Sequence, residues 1–180
     1  MTHTTEHGVN AADLEAFLNE HPALRGEYAV LSQIANESPR GMVLVAAAEL
    51  DRLLLELMKA FLRPGAGQNA LLSEGNAPLA TFSGKIAAAH ALNLITDQEF
   101  RELGIIRRIR NDFAHEADVS FESKTIKNRI RELSQYRASD DPIESFEASV
   151  ITLSLELSSI IRGISLIDEL RPPNRKYEQV

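Results

Sequence analysis

The sequence predicts an all-α fold, a bundle of five to seven helices in a single domain. Along most of the chain, apolar residues recur at spacings of three and four, which places them on one face of a helix. Capping residues precede several of these stretches, and glycine or proline follows them. No stretch typical of a strand stands outside these helix-length patterns. With 180 residues, 44% of them hydrophobic, the chain is long enough to bury a core of its own.

The first three helices are predicted in the N-terminal third of the chain. Asn10 can cap a helix over 11–20, which the following His-Pro pair ends because proline cannot continue a helix. A second helix is predicted over 24–36. Ser38 then caps a long helix over 40–62, and the proline between them suits the first helical position. The buried face of this long helix is predicted from five apolar residues: Leu50, Leu53, Leu54, Leu57 and Phe61.

The middle of the chain alternates loops and helices. Residues 64–80 contain several Gly, Asn and Pro and predict a loop with a short helical turn over 69–73. A helix is predicted over 81–94. Thr96 then begins a Thr-Asp-Gln-Glu capping box, which starts a helix that ends near His115. Three isoleucines indicate that this is a core helix: Ile105, Ile106 and Ile109.

Two further helices complete the predicted domain. A helix is predicted over 120–136, and a final helix begins at Asp141 and ends where a pair of prolines follows. The apolar face of the first of them consists of Phe121, Ile126, Ile130 and Leu133. We therefore expect a polar tail with a short helix over 1–22, one all-helical domain over 23–171 and a C-terminal tail over 172–180.

The composition limits the function. The sequence has 26 Asp+Glu against 19 Lys+Arg and a formal net charge of -7, which argues against broad, non-specific coating of DNA. It has no Cys, so disulfides, zinc–thiolate sites and thiol nucleophiles are excluded, and we expect neither a cofactor nor a bound metal. The N-terminus lacks a leader pattern, and charges interrupt the most apolar stretch, 42–62. We therefore expect a cytoplasmic protein without membrane contact.

Charge is unevenly distributed along the chain. Over 101–137, nine Lys/Arg stand against six Asp/Glu, whereas the ends of the chain are acidic. Within this basic region, Arg107, Asn111 and His115 lie at spacings of four, so they line one polar face of a helix. The basic excess therefore coincides with a cluster of residues that can carry chemistry.

This polar face can take part in phosphate chemistry. An Arg guanidinium binds phosphate with two parallel hydrogen bonds, and a His that titrates near neutral pH can transfer protons. Arg110 and His115 are about 140° apart around an ideal helix, so a site that uses both is easier to build between two copies of the helix. A structural alternative stays open, because Arg and His near a helix C-terminus also bind its last carbonyls. Arg108 and Asp112, four residues apart, are predicted to form an ion pair.

Residues 110–115, Arg-Asn-Asp-Phe-Ala-His, resemble the R-x(4)-H motif of HEPN domains, which are small helical bundles. The resemblance implies a dimeric, metal-independent RNase of the kind found in toxin–antitoxin, CRISPR and phage-defence systems. In such a site, Arg110 would bind the scissile phosphate, Asn111 would orient it and His115 would transfer protons.

A longer resemblance covers residues 38–115. A Ser-Pro-Arg-Gly start leads into a leucine-rich helix, followed by Ala-Pro-Leu-Ala-Thr-Phe-Ser-Gly-Lys over 77–85 and Ala-Leu-Asn-Leu-Ile over 91–95. This order resembles the mannitol operon repressor (MltR) family, although the glycine usual before Pro78 is replaced and Asn93 stands where a second glycine is usual. The resemblance implies an all-helical transcriptional repressor without an obvious helix-turn-helix.

Two main functional hypotheses follow, and whether the protein is an enzyme stays open. The first is an MltR-like, repressor-type transcriptional regulator that acts through macromolecular contacts made by Arg107, Arg108 and Arg110. The alternative is a HEPN-type, metal-independent endoribonuclease. A third hypothesis is a plain helical scaffold, in which the same residues have a structural role. We expect a homodimer whose partner is another protein or an RNA. Direct sequence-specific DNA binding is not expected, because no helix-turn-helix pattern is evident.

Overall fold

The structure, a computed structural model, describes residues 36–72, 77–137 and 141–170, together with the single positions 19, 29, 32 and 34. Within these residues every regular element is a helix, so the predicted all-α class is confirmed. The six helices are α1 (Pro39–Phe61), α2 (Ala66–Leu72), α3 (Phe82–Ala91), α4 (Asp97–His115), α5 (Lys124–Ile130) and α6 (Pro142–Leu170). The segments predicted for the N-terminal helices and both tails lie outside the described residues, apart from those single positions. α2 takes the place of the short helical turn predicted in the loop and begins earlier.

Capping residues predicted from the sequence fix the starts of α1 and α4. The Ser38 hydroxyl accepts a hydrogen bond from the backbone N–H of Gly41 at 3.2 Å, and Pro39 occupies the first turn. At α4, the Thr96 hydroxyl accepts from the N–H of Glu99 at 3.2 Å, and the Glu99 carboxylate accepts from the N–H of Thr96 at 2.6 Å. These reciprocal bonds satisfy N–H groups that have no partner inside the helix.

α1 is the central helix and packs against α3, α4 and α6. Its predicted apolar face is buried along most of its length, but Phe61 is 44% exposed, because α1 ends there. α6 faces α1 with four buried side chains, Phe146, Val150, Leu153 and Leu157. α4 adds Leu103, Ile106, Ile109 and Phe113 to the same core. This packing holds α4, and with it the predicted site residues, in a fixed orientation.

α6 is apolar on more than one side. Over Pro142–Ile167 it is long and apolar enough to cross a membrane, by length and composition alone. The core helix of a soluble protein meets the same two criteria, and α6 packs along α1 through a buried face. Apolar side chains are also exposed on it, namely Ile151, Leu155, Leu166 and Ile167. Length and composition are therefore weak support for a membrane role.

α3 ends three residues earlier than predicted. The N–H of Asn93 bonds to the carbonyl of His90, and the N–H of Leu94 bonds to the carbonyl of Ala89, both at 2.9 Å. Asn93 has a φ of 57°, in the left-handed region that glycine favours and asparagine tolerates. This arrangement closes the helix with a Schellman turn. The left-handed conformation explains why the sequence pattern has a glycine or an asparagine at this position.

The helix predicted over 120–136 is wrong in its length, because only α5 is helical within it. The Ser123 hydroxyl accepts from the N–H of Ser120 at 3.0 Å in the preceding loop and does not cap α5. After α5, the backbone N–H groups of Glu132, Leu133 and Tyr136 each bond to the carbonyl three residues earlier in the chain. Tight turns share the three-residue spacing of a helix, so the four predicted apolar residues are still buried.

Candidate functional site

α4 positions the predicted site residues. Its buried side packs on α1 and α3, which leaves the polar side turned outward. Arg108 and Arg110 are exposed on that side, whereas Arg107 is half-buried. We refer to Arg107, Arg108 and Arg110 as the arginine surface.

A cavity of about 540 Å³, the α1–α4 cavity, lies between α1, the start of α3 and α4. Arg107, Arg110 and Asn111 line it from α4, and Thr81 and Ser83 supply hydroxyl groups from the start of α3. Nη1 of Arg110 donates a hydrogen bond to Oδ1 of Asn111 at 3.1 Å. The structure thus brings three of the predicted residues to one concave, polar site.

His115 does not line this cavity. It is the last residue of α4 and is exposed. Within one chain, therefore, the structure does not bring His115 to the site that holds Arg110 and Asn111. That a site using both Arg110 and His115 is easier to build between two copies of the chain stays a prediction.

Arg108 lies at a second concavity. This cavity of about 790 Å³, the α3–α4 groove, is lined by α3, the outer side of α4 and the turn after α5. Arg101 and Arg108 line it, together with Arg107, which also lines the α1–α4 cavity. Arg107 therefore lines both concavities, as does Ser83 at the start of α3.

Asp112 pairs with Arg129 of α5 and not with Arg108, so the ion pair predicted within α4 is wrong. Arg129 also donates to the backbone carbonyl of Arg108 at 3.3 Å. Burial lowers the pKa of Arg129, and the nearby charge of Arg108 lowers it further. The tertiary contact thus supplies Asp112 with a cation from another helix, and Arg108 remains without this carboxylate.

The carboxylate in the α1–α4 cavity is also paired. Asp51 forms an ion pair with the ammonium group of Lys85, with 2.9 Å between Oδ1 and Nζ, and Lys85, buried to 3% exposure, donates a hydrogen bond to the carbonyl of Ala80 at 3.1 Å. On the same helix as Asp51, Glu49 pairs with Arg52 at 2.6 Å. Neither α1 carboxylate therefore neutralises the arginine surface.

Arg40 is a structurally important residue to which no sequence pattern assigns a role. From the first turn of α1 it donates hydrogen bonds to three carbonyls at the end of α4: those of Phe113, Glu116 and Ala117. The last two bonds are 2.8 Å long, and the guanidinium lies 5.9 Å from the centre of the Phe113 ring. The structural alternative in the sequence was that the Arg and His of α4 bind its last carbonyls. Arg40, from another helix, binds carbonyls at this end instead. No local signal marks it, because its partners are more than 70 residues away.

The start of α4 has the opposite charge. Glu99 and Glu102 are buried there and lie near Glu156 of α6. Partial burial raises the pKa of the Glu156 carboxyl, and the charges of Glu99 and Glu102 raise it further. α4 is therefore acidic at its beginning and basic along its second half.

Comparisons with known proteins show a shared fold. No protein-family model matches the chain, and no curated protein matches it. Among solved structures, the chain is similar to the helical MtlR chain in the X-ray structure of the MtlR–HPr complex from Escherichia coli. The TM-score is 0.53 at 21% sequence identity, and the match covers 77% of this chain and 98% of that one. The two proteins therefore have the same kind of helical fold.

Proposed function

We propose that this protein is an MtlR-like regulator that acts by binding another protein. The observation that carries the proposal is the fold, which matches nearly the whole MtlR chain of a complex with HPr. The resemblance over 38–115 implies the same kind of regulator, but no family model matches the chain, so the fold alone carries the proposal. An HPr-type protein is the partner that this similarity favours.

The charge along α4 supports action through a partner rather than through direct reading of DNA. A recognition helix presents its N-terminal residues to the bases and the negatively charged phosphates. The first turns of α4 carry Asp97, Glu99 and Glu102, which phosphates would repel. Arg101 also lies in these first turns, but Arg107, Arg108 and Arg110 lie further along the helix, where its inner side is packed in the core.

The arginine surface is the contact that we propose for the partner. Its guanidinium groups are exposed or half-buried, and arginine is enriched at protein interfaces because its planar group makes several directed hydrogen bonds. The nearby carboxylates Asp51 and Asp112 are already paired with Lys85 and Arg129.

Isothermal titration calorimetry of the purified protein with HPr tests the proposal. We would use HPr from E. coli and the HPr of the protein's own organism, and we expect saturable binding of at least one. The double variant Arg107→Ala/Arg108→Ala should bind about tenfold more weakly or worse, since hydrogen bonds to charged groups are lost. Arg63→Ala, which removes an exposed cation after α1, is the matched control and should bind like the wild type.

Two results would contradict the proposal. If the folded protein binds neither HPr, the partner class is wrong. If the double variant binds as tightly as the wild type, the arginine surface is not the contact, whatever the partner.

The alternative, a metal-independent RNase, has less support. Arg110 and Asn111 share a cavity, but His115 does not line it within one chain. An RNA cleavage assay in EDTA, with wild type, Arg110→Ala and His115→Ala, decides this alternative. We expect no cleavage that depends on either residue. Cleavage by the wild type that both substitutions abolish would favour the RNase instead.

A further inference from the structure

The α3–α4 groove has an apolar floor and a basic rim. Ile86, Phe100 and Ile105 line it with hydrocarbon, and Phe100 is 36% exposed. The basic residues Arg107 and Arg108 also line it. Its volume of about 790 Å³ lies in the range typical of small-molecule sites.

The two guanidinium groups have no partner within the described part of the chain. No hydrogen bond or ion pair there involves the side chain of Arg107 or Arg108, although carboxylates are close by. Asp112 is held by Arg129, and Asp51 by Lys85. Burial lowers the pKa of Arg129, and the nearby charge of Arg108 lowers it further.

The groove has two carboxylates of its own, and both have other neighbours. Glu102 is only 4% exposed and accepts a hydrogen bond from Gln98 at 3.1 Å. Glu132 is exposed on the turn after α5, and its charge acts on Arg129. Neither forms an ion pair with the rim arginines.

We propose that the α3–α4 groove binds a small phosphate monoester with an apolar body. Arg107 and Arg108 would bind the phosphate dianion, because the planar guanidinium matches phosphate oxygens with paired hydrogen bonds. Ile86, Phe100 and Ile105 would contact the body of the ligand. The size of the groove and the acidic total charge of the chain favour a small ligand over a nucleic-acid backbone, whose binding needs many cations.

Gly104 gives direct access to this groove. It lies in α4 on the groove lining, and a Cβ added there meets no other atom within 4 Å. A larger side chain at this position would therefore occupy the groove without displacing the core. Alanine adds one methyl group and leaves most of the space open.

The test is titration of the protein alone with phenyl phosphate, followed by calorimetry and by ³¹P NMR. We expect saturable binding to the wild type and to Gly104→Ala. Binding should weaken about tenfold or more in Arg107→Gln/Arg108→Gln, through loss of charged hydrogen bonds, and in Gly104→Leu, through filling of the groove. Arg63→Gln controls for the change in total charge, and thermal melting checks that each variant is folded.

Several outcomes would overturn the inference. Absence of saturable binding to the folded wild type removes the site, and equal binding by every variant places it elsewhere. Equal binding of phenyl phosphate and glycerol phosphate removes the role of the apolar floor. Binding of an RNA oligonucleotide through these arginines, without binding of the monoester, makes the surface a nucleic-acid contact. No partner protein is present, so these results are independent of the proposed function.

Discussion

The cations around α4 fall into two groups that differ in what surrounds them. Arg40 and Arg129 have fixed partners, the carbonyls at the end of α4 and the carboxylate of Asp112. Arg107 and Arg108 lie on the outward side of α4 and have no hydrogen-bond or ion-pair partner among the described residues. The first group joins helices to each other, and the second leaves positive charge available to a ligand. The amino-acid type is the same, so the difference lies in tertiary placement alone.

The largest expected effect is on Arg40. Arg40→Ala removes hydrogen bonds to three carbonyls in the last turn of α4 and just after it, so we expect the free energy of unfolding to fall by about 2–3 kcal/mol. Urea unfolding followed by circular dichroism measures the change, with Arg63→Ala as the exposed control, expected within about 0.5 kcal/mol. A loss as small as that of the control would place Arg40 in the second group.

Arg129 should have the next largest effect. Arg129→Ala leaves the half-buried carboxylate of Asp112 without its cation, and we expect a loss of about 1–2 kcal/mol. A double-mutant cycle with Asp112→Ala isolates the coupling between the two residues. The matched cycle of Arg108→Ala with Asp112→Ala should show no coupling. Coupling of Asp112 with Arg108, and none with Arg129, would support the ion pair that the sequence predicted.

The carboxyl group of Glu156 lies near like charges, those of Glu99 and Glu102. Neighbouring charges and burial raise the pKa of Glu156, so the folded protein binds this proton more tightly than the unfolded chain. Stability should therefore be lost as the pH rises from the ordinary value of 4.5 through the raised pKa. Because Glu156 is exposed and solvent screens the neighbouring charges, we expect Glu156→Gln to gain at most about 0.5 kcal/mol at neutral pH.

This gain should disappear below pH 4.5, where the carboxyl is protonated in both states. Thermal melting of wild type and Glu156→Gln between pH 4 and 8 measures it. The exposed Asp118, as Asp118→Asn, is the control. A difference that does not change with pH would mean that the substitution acts by packing and not by charge.

The smallest expected effect on stability is at the unpaired arginines. Arg107→Ala and Arg108→Ala remove no bond within the described structure, so we expect changes within about 0.5 kcal/mol in urea unfolding. The same substitutions should weaken partner or ligand binding. A stability loss above about 1 kcal/mol would show that these side chains belong with Arg40 and Arg129.

Local signals in the sequence predicted the elements that local physics controls. Ser38 and Thr96 cap helices where the sequence places the caps, because capping needs only residues within one turn. The apolar spacing of α4 identified its buried face for the same reason. Helix geometry placed Arg107 and Asn111 on one face, and both line the α1–α4 cavity. It also predicted the separation of His115 from Arg110, but it did not predict that Arg110 would join the first two residues there.

Long-range pairing lay beyond the sequence. Asp112 had a candidate cation four residues away, yet a cation 17 residues along the chain occupies it, because packing of α5 on α4 decides the distance. Arg40 could not be assigned because its partners are made close only by the completed bundle. α5 is short because the backbone N–H groups after it bond to the third preceding carbonyl, as in a tight turn, and not to the fourth, as in an α-helix. The apolar spacing of the sequence fits both kinds of bonding.

The Arg40 contact also has a consequence for motion. It joins the first turn of α1 to the last turn of α4 across more than 70 residues of chain, so neither end can fray without breaking the bonds of the other. The two helix ends should open together as one cooperative unit and show similar amide hydrogen-exchange rates. The arginine surface lies just before this anchored end, so its side chains project from a backbone that is already ordered before any ligand arrives. Binding there should then cost little additional backbone entropy.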